Sequence, residues 1–373
     1  MPMGYLRAII TIMSSIGSQS TDFAALRLEQ RGRAGELLPI VLLNTLLNII
    51  TLSIYRFWGK TKVRQYLWRQ TYFMGEALEY TGSGGELFKG FLAVFFLILV
   101  PLGAIGNVAG IYLDPESAAF AVYTAAFYTV IWFLIGMAVY RARRYRLSRT
   151  VWRGIRGGMR GSSGQYAARY LIFSVLAVIT LGWAYPWMRV TLFQRIMAET
   201  MFGDRNFRVG APLAPLYRVF AVYWLGSAAT LILAIIFIRF TSLIYLGGPE
   251  FEAADMDMSQ GWVLLWPLIP VVGWMWYRTH EINQFANNTS FQGLSFRMNA
   301  SVWNLSGLVF INALIVVFTL GFGQPFAQLR TFRYFCDHLT IMGEINVDWI
   351  EQSSAESPSI GEGLADAFDL GAV

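Results

Sequence analysis

The sequence predicts an α-helical polytopic membrane protein with three internal repeats, whose short inter-helix β-strands form a small cytoplasmic sheet. Three observations lead there. The chain is 55% hydrophobic and 14% charged, with a mean hydropathy of +0.47, whereas a soluble domain carries roughly 25% charged residues. Threonines recur along it at matching spacings. Lysine and arginine are absent from two of the connections between apolar stretches.

Residues 1–20 read as a leader. The apolar run 8–16 is short, has only Arg7 ahead of it and lacks a small-residue cleavage site, unlike a secretory signal. The repeats begin at Thr21. Thr21, Thr150 and Thr289 each stand thirty residues before a second threonine: Thr51, Thr180 and Thr319. A third follows twenty or twenty-one residues on: Thr71, Thr200 and Thr340. Such periodicity sets an architecture before any local reading does. It defines one membrane domain over 21–350 with repeat cores 21–80, 150–209 and 289–349. The remaining stretch, 351–373, is acidic and rich in Ser, Gly and Pro, and is expected to be disordered.

Each core opens and closes on Thr-x-aromatic or Thr-x-Met: Thr21-x-Phe23, Thr71-x-Phe73, Thr150-x-Trp152, Thr200-x-Phe202, Thr289-x-Phe291 and Thr340-x-Met342. Alternation such as Phe291-Gln-Gly293-Leu-Ser-Phe296 predicts short half-buried strands bounded by glycine. Between the strands come apolar segments at about 37–55, 166–185 and 302–322, each ending at Thr-Leu-[Ser/Gly]. A basic amphipathic stretch follows. In the first copy Lys60, Lys62, Arg64 and Arg69 alternate with Val63, Tyr66 and Leu67, a pattern expected of a helix lying at the membrane interface. Pro186 and Pro325 mark a break between the apolar and basic parts.

Four longer segments, roughly 88–112, 119–140, 216–240 and 262–277, read as full spans, since a span needs about 20 apolar residues. They pair through a short acidic connection (Asp114, Glu116) and through about 241–261 (Glu250, Glu252, Asp255, Asp257), both free of Lys and Arg. The positive-inside bias puts both outside the cytoplasm. If the three repeat segments also cross, the chain has seven spans and a weak charge bias. If they re-enter, nearly every cation shares one face, as do all six strands, which can then pair. The charge pattern favours re-entry. Seventeen apolar residues, however, nearly suffice for a span.

The pI near 9.4 in so apolar a chain points to anionic lipid at cytoplasmic loops, not to nucleic acid. Cys336 is the single cysteine, which excludes an internal disulfide and a multi-cysteine metal site. Cys336-Asp337-His338 lacks the geometry and the third group of a thiol catalyst, because neighbours on a helix point about 100° apart. His280 is the only other histidine, and the two make no metal motif. No catalytic residue, metal or cofactor is therefore expected, and the chain does not read as an enzyme. Polar groups inside apolar segments are the better candidates. Asn44 and Asn312 hold the same repeat position, and Asn48, Asn107 and Asn304 add amides. Asn44, Asn48, Asn304 and Asn312 are candidate ligand-binding residues, although membrane amides also bond helix to helix. Lys60, Lys62, Arg64, Arg153, Arg156 and Arg160 are candidate lipid-headgroup contacts, the last three around the glycine-rich stretch 154–164.

The strings Gly35-Glu36-Leu37-Leu38, Asn44, Thr51-Leu52-Ser53-Ile54-Tyr55-Arg56-Phe57-Trp58, Arg64, Tyr66 and Gly85-Glu86-Leu87-Phe88 resemble the YjgN family of bacterial inner-membrane proteins over about residues 21–350. Ser53 stands where the family has glycine, and Phe326 where the other two copies have tryptophan. The resemblance implies a multi-pass inner-membrane location and no activity. Two functions follow as expectations. One is permeation of a small solute or lipid handling, from amides in broken membrane segments. The other is a non-catalytic scaffold or sensor whose basic face binds anionic lipid or a protein. Membrane lipids are the expected partners, and self-association into a homo-oligomer stays open.

Overall fold

The computed structural model describes residues 26–245, 266, 268–345, 350–353, 355 and 363–367. The 1–20 leader, the Thr21-x-Phe23 strand, most of the second acidic connection and the start of the 262–277 segment lie outside them. The described residues are mostly helical. In chain order they form β1 (Leu26–Gln30), α1 (Ala34–Ile50), α2 (Arg56–Arg69), β2 (Thr71–Phe73), β3 (Glu76–Ala77), β4 (Glu79–Tyr80), α3 (Gly84–Tyr112), α4 (Ala118–Ser148), β5 (Thr150–Trp152) and β6 (Ile155–Met159). Then come α5 (Ser163–Ile179), α6 (Tyr185–Glu199), β7 (Thr200–Phe202), β8 (Arg205–Asn206), β9 (Arg208–Val209), α7 (Leu213–Tyr245) and α8 (Leu268–Asn287). The chain closes with β10 (Thr289–Phe291), β11 (Leu294–Met298), α9 (Val302–Phe318), α10 (Gln324–His338), β12 (Leu339–Met342) and the short α11 (Gly363–Ala367).

Among the described residues, three helices are long and apolar enough to cross a membrane: Gly84–Tyr112, Ala118–Ser148 and Leu213–Phe237. The first contains a π-helical turn at Phe95–Leu99 just ahead of Pro101, where a residue without an amide hydrogen interrupts the ladder. Serine side chains cap several starts, with Ser83 accepting from the Glu86 amide, Ser117 from Phe120, Ser162 from Gln165 and Ser301 from Asn304.

The three apolar segments are each one arm of a helical hairpin: α1/α2, α5/α6 and α9/α10. The recurrent threonine builds the turn. Thr51, Thr180 and Thr319 donate Oγ1 to the carbonyls of Leu47, Leu176 and Ile315 at 2.7, 2.7 and 2.6 Å. Each Oγ1 also accepts the amide of the residue four on, Tyr55, Ala184 or Gly323. One hydroxyl thus closes the first helix and opens the second, adding to the backbone bonds of the turn. The next two residues take positive φ in each of the three hairpin turns: Leu52 and Ser53, Leu181 and Gly182, Leu320 and Gly321. Glycine fits the last position without strain, and Ser53 adopts the same conformation at φ 69. Pro186 and Pro325 sit in the first turn of the returning helices, where a missing amide costs nothing.

The basic helices do not lie apart as interfacial helices. They fold back against their apolar partners. Val63 and Leu67 of α2 pack with Leu37 and Val41 of α1 and with Leu329 of α10. The stripe read as lipid-facing therefore faces protein. The hairpin tips instead expose apolar side chains: Leu52, Leu181 and Leu320 are 89%, 77% and 86% exposed.

All strand pairs are antiparallel. The strand before each hairpin pairs with the strand after it, with Gln30 opposite Thr71, Met159 opposite Thr200 and Met298 opposite Leu339. Each hairpin therefore leaves a sheet and returns to it. The partner of Met298 is Leu339, not Thr340, so the third strand starts one residue before the threonine pattern places it. Two sheets result, ordered β3-β2-β1-β12-β11-β10-β9 and β4-β5-β6-β7-β8. β3 and β4 are two halves of one bent segment, and so are β8 and β9. Both edges of one sheet thus run into the edges of the other, and the strands close into a ring. Closure leaves no free ladder edge. Strands far apart in sequence meet in it: β1 with β12, β4 with β5, and β9 with β10.

Part of the stretch expected to be a disordered acidic tail is packed. Arg156 Nη2 donates to the carbonyls of Ser353 and Ala355, each at 2.8 Å. In α11, Leu364 is 1% exposed among residues of α3 and α4. The composition of the stretch is polar, but single apolar residues within it find sites on the body.

Candidate functional site

A polar cavity of about 190 Å³ lies between the first hairpin and the turn of the third. It is built from the protein-facing stripe of α1. That helix buries Leu37, Val41 and Asn44 and leaves Leu42, Leu46, Ile49 and Ile50 exposed. Its inner face is thus more polar than its outer one, the reverse of a water-soluble helix. Asn44 and Asn48, one turn apart, both line the cavity, facing Arg56, Gly59 and Lys60 of α2 and Gln324 and Gln328 of α10.

Asn44 donates Nδ2 to the Gly59 carbonyl at 3.3 Å. The crossing is close, since a Cβ on Gly59 would stand 3.2 Å from the Asn44 amide carbon and press on that side chain. The Oδ1 atoms of Asn44 and Asn48 are buried and accept no hydrogen bond from the described residues. An amide oxygen left so is costly. The cations opposite differ in state. Lys60 pairs with Asp366 of α11 at 2.5 Å. The Arg56 guanidinium lies over the rings of Phe57 and Phe91 at 4.9 and 5.1 Å. It has no carboxylate partner among the described residues. The cavity therefore presents two spare acceptors, one cation on aromatic faces and one ion pair, inside a bundle that is apolar outside.

The remaining candidates are elsewhere. Asn312 repeats the Asn44 contact, donating to the Ala327 carbonyl at 3.3 Å, but it also donates to Thr331 Oγ1 and accepts from Arg330 Nε. It joins helices and does not line the cavity, so the two equivalent amides do not meet in one site. In the second hairpin the residue at the matching threonine spacing is Phe173, edge-on to Trp187. Asn304 is exposed in the first turn of α9, its amide held by Ser301. Of the six cations, Lys60 lines the cavity and Lys62 is exposed, its ammonium 5.5 Å from the centre of the Tyr55 ring. Arg64 is buried with its guanidinium donating to Tyr80 Oη, so it does not face lipid. Arg153 pairs with Glu76, Arg156 holds the 353–355 backbone, and Arg160 is exposed beside β6.

Cys336 is buried, and burial pushes its thiol up to about 11, so it stays protonated at neutral pH and is a poor nucleophile. His338 turns its Nδ1 to the Tyr334 carbonyl at 2.8 Å and stacks on that tyrosine. Among the described residues no cluster of three His, Cys, Asp or Glu side chains is placed to hold a metal. Sequence reasoning missed Arg56, Gln324, Gln328 and Asp366. Arg56 and Gln324 each stand five residues after a repeated threonine, Thr51 and Thr319, a signal that could have found them, and Gln328 is one helical turn further on. Asp366 carried none.

Residues 25–367 match a family described as "Bacterial protein of unknown function (DUF898)". The chain belongs to that family. It is also 24% identical over 378 residues to "Inner membrane protein YjgN" of Salmonella typhimurium (strain LT2), an alignment covering 88% of this chain and 90% of that protein. No solved structure matches it.

Proposed function

We propose that the protein is a multi-pass inner-membrane protein that handles phospholipid, holding a headgroup in the cavity between its first and third hairpins. The observation that carries this is the pairing of spare acceptors with a cation: Asn44 and Asn48 Oδ1 on one wall, Arg56 on the other. A phosphodiester satisfies Arg56. A hydroxyl beyond it satisfies the amide oxygens. Phosphatidylglycerol carries both groups and phosphatidylcholine only the first. The family relationship and the three long apolar helices support the membrane setting.

In this reading the three hairpins are internal repeats that dip into the bilayer from the cytoplasmic side. A helix of 17 residues reaches about 25 Å at 1.5 Å per residue, against a hydrocarbon core of about 30 Å. The exposed leucines at the tips then sit in lipid. The return of each hairpin to the strand that launched it supports re-entry over crossing. Single cysteines placed at Ser83, Ser163 and Asp204 in a Cys336→Ser background are expected to react with a membrane-impermeant maleimide from the cytoplasmic side only. Labelling of the first and last from opposite sides would establish seven crossings instead.

The lipid reading is tested on purified protein. Native mass spectrometry should show phosphatidylglycerol retained over phosphatidylcholine, and Asn48→Leu combined with Arg56→Gln should reduce that preference at least tenfold with the melting temperature little changed. Equal retention of the two lipids by the unaltered protein sinks the proposal. It favours instead the second reading, a scaffold whose cytoplasmic face contacts lipid or protein without a headgroup site.

A further inference from the structure

The ring of strands encloses an apolar cavity of about 310 Å³. Phe73, Trp152, Phe202, Phe207, Phe291 and Phe296 are among its walls. A second cavity of about 480 Å³ adjoins it beneath the sheet, bounded by α6, α8 and α10, and the two share Arg143, Met197, Phe207 and Phe296. Neither shares a residue with the polar cavity described above.

We propose that this chamber binds a single-chain anionic amphiphile, its acyl tail among the phenylalanines and its acidic head at Arg143 and Trp152. Arg143 carries the argument. It projects from the last turns of α4 into both cavities, and its contact there is soft, Nη2 to the Met197 sulfur at 3.3 Å. Its Nε is buried and donates to nothing, and no carboxylate among the described residues pairs with it. An unpaired guanidinium in an apolar chamber is expensive and marks a site. Trp152 is an independent second observation. It is 4% exposed, lines the first cavity, and its indole nitrogen also lacks an acceptor.

The threonine hydroxyls of the lining do not meet that need, since none accepts from Arg143 Nε or Trp152 Nε1. Thr150, Thr200 and Thr289 already donate to the carbonyls of Arg146, Ile196 and Phe285. Among the described residues no Asp or Glu lines either cavity. The chamber therefore offers a cation and a spare donor, no spare negative charge, and walls of aromatic and aliphatic carbon. Its size lies within the ordinary range of ligand pockets, about 300–1,000 Å³. What complements it is an acceptor-bearing anionic group on a long apolar tail. A fatty carboxylate and a lysophospholipid phosphate share that chemistry.

The test uses delipidated full-length protein in a non-ionic detergent. Binding of oleate, 1-oleoyl lysophosphatidate and uncharged 1-mono-oleoylglycerol is measured by native mass spectrometry. One anionic molecule is expected per chain, with the uncharged ester bound at least tenfold more weakly. Preference for oleate or for the lysophosphatidate identifies the source, and either supports the site. Arg143→Met should erase the charge preference and Arg143→Lys should keep it. Ala286→Trp fills the second cavity while leaving Arg143 in place, and should abolish binding of both anions with the fold intact. The proposal falls if the three amphiphiles bind equally to the unaltered protein. It falls equally if Ala286→Trp melts normally and still binds, which would move the anion to another site.

Discussion

Replacing Glu281 with alanine is expected to cost about 3–5 kcal/mol of stability, the range for removing one partner of a buried ion pair. Glu281 is 0% exposed near the middle of α8. It accepts from Arg189 Nε of α6 at 2.5 Å and from Arg278 on its own helix. One carboxylate thus neutralises two guanidinium groups and ties the second hairpin to α8. Beside them, Tyr185 packs on Trp274 and Tyr277, and Phe193 stacks on Phe285 with ring centres 4.1 Å apart. Without the carboxylate, Arg189 stays between helices with no counter-charge. The double variant Arg189→Met with Glu281→Met should recover most of the loss, because an apolar pair of similar volume avoids the desolvation of both ions, while Arg278 is free to turn to the surface. Denaturant titration in detergent micelles measures all three proteins. A change below about 1 kcal/mol for Glu281→Ala would show that water reaches the pair and that the hairpin is held by its aromatic contacts alone.

Glu281 illustrates where the sequence is silent. In the chain it stands at Arg-Thr-His-Glu-Ile-Asn, ordinary surface vocabulary at the end of an apolar run, and only the approach of Arg189 from 92 residues away makes it central. The threonines are the opposite case. Their side chains act on residues four before and four after, so spacing alone reveals them. Helix type, the three long apolar helices and the strands at Thr71, Thr150, Thr200 and Thr289 follow from local pattern in the same way. The ring does not. Its bends at Leu78 and Phe207 depend on two-residue strands pairing with different neighbours on either side of one residue, which no periodicity records. The candidate site divides along the same line. Asn44 and Asn48 stood out as amides in an apolar segment. Their separation from Asn312 could not be read, because the first hairpin leaves an amide oxygen spare where the third spends it on Arg330.

Substituting Asp366 with asparagine is expected to tighten binding of phosphatidylglycerol at least tenfold while lowering stability. The two effects have one origin. Asp366 is 6% exposed and lies 2.5 Å from Lys60 through Oδ1, at the edge of the polar cavity. A five-residue helix otherwise held by Leu364 against α3 and α4 delivers it there. In the free protein this carboxylate neutralises Lys60. An incoming phosphodiester meets it as a like charge a few ångströms away, a repulsion of about 4 kcal/mol at 4 Å for an effective dielectric constant near 20. Asparagine keeps the shape and removes the charge. Lys60 is then uncompensated until lipid arrives, so the lipid-free protein melts lower and the lipid-bound protein regains the difference. That reciprocity separates a headgroup site from a structural ion pair. If Asp366 served only to hold the chain end, Asp366→Asn would lower the melting temperature equally with and without phosphatidylglycerol. A tenfold gain in affinity is 1.4 kcal/mol, well inside the repulsion removed, and should be accompanied by a larger lipid-induced rise in melting temperature than in the unaltered protein. Phosphatidylcholine, whose head adds a fixed positive charge and no hydroxyl, should gain less. An affinity that falls on Asp366→Asn would mean that the carboxylate itself holds the ligand, and the cavity would then be selecting a cation.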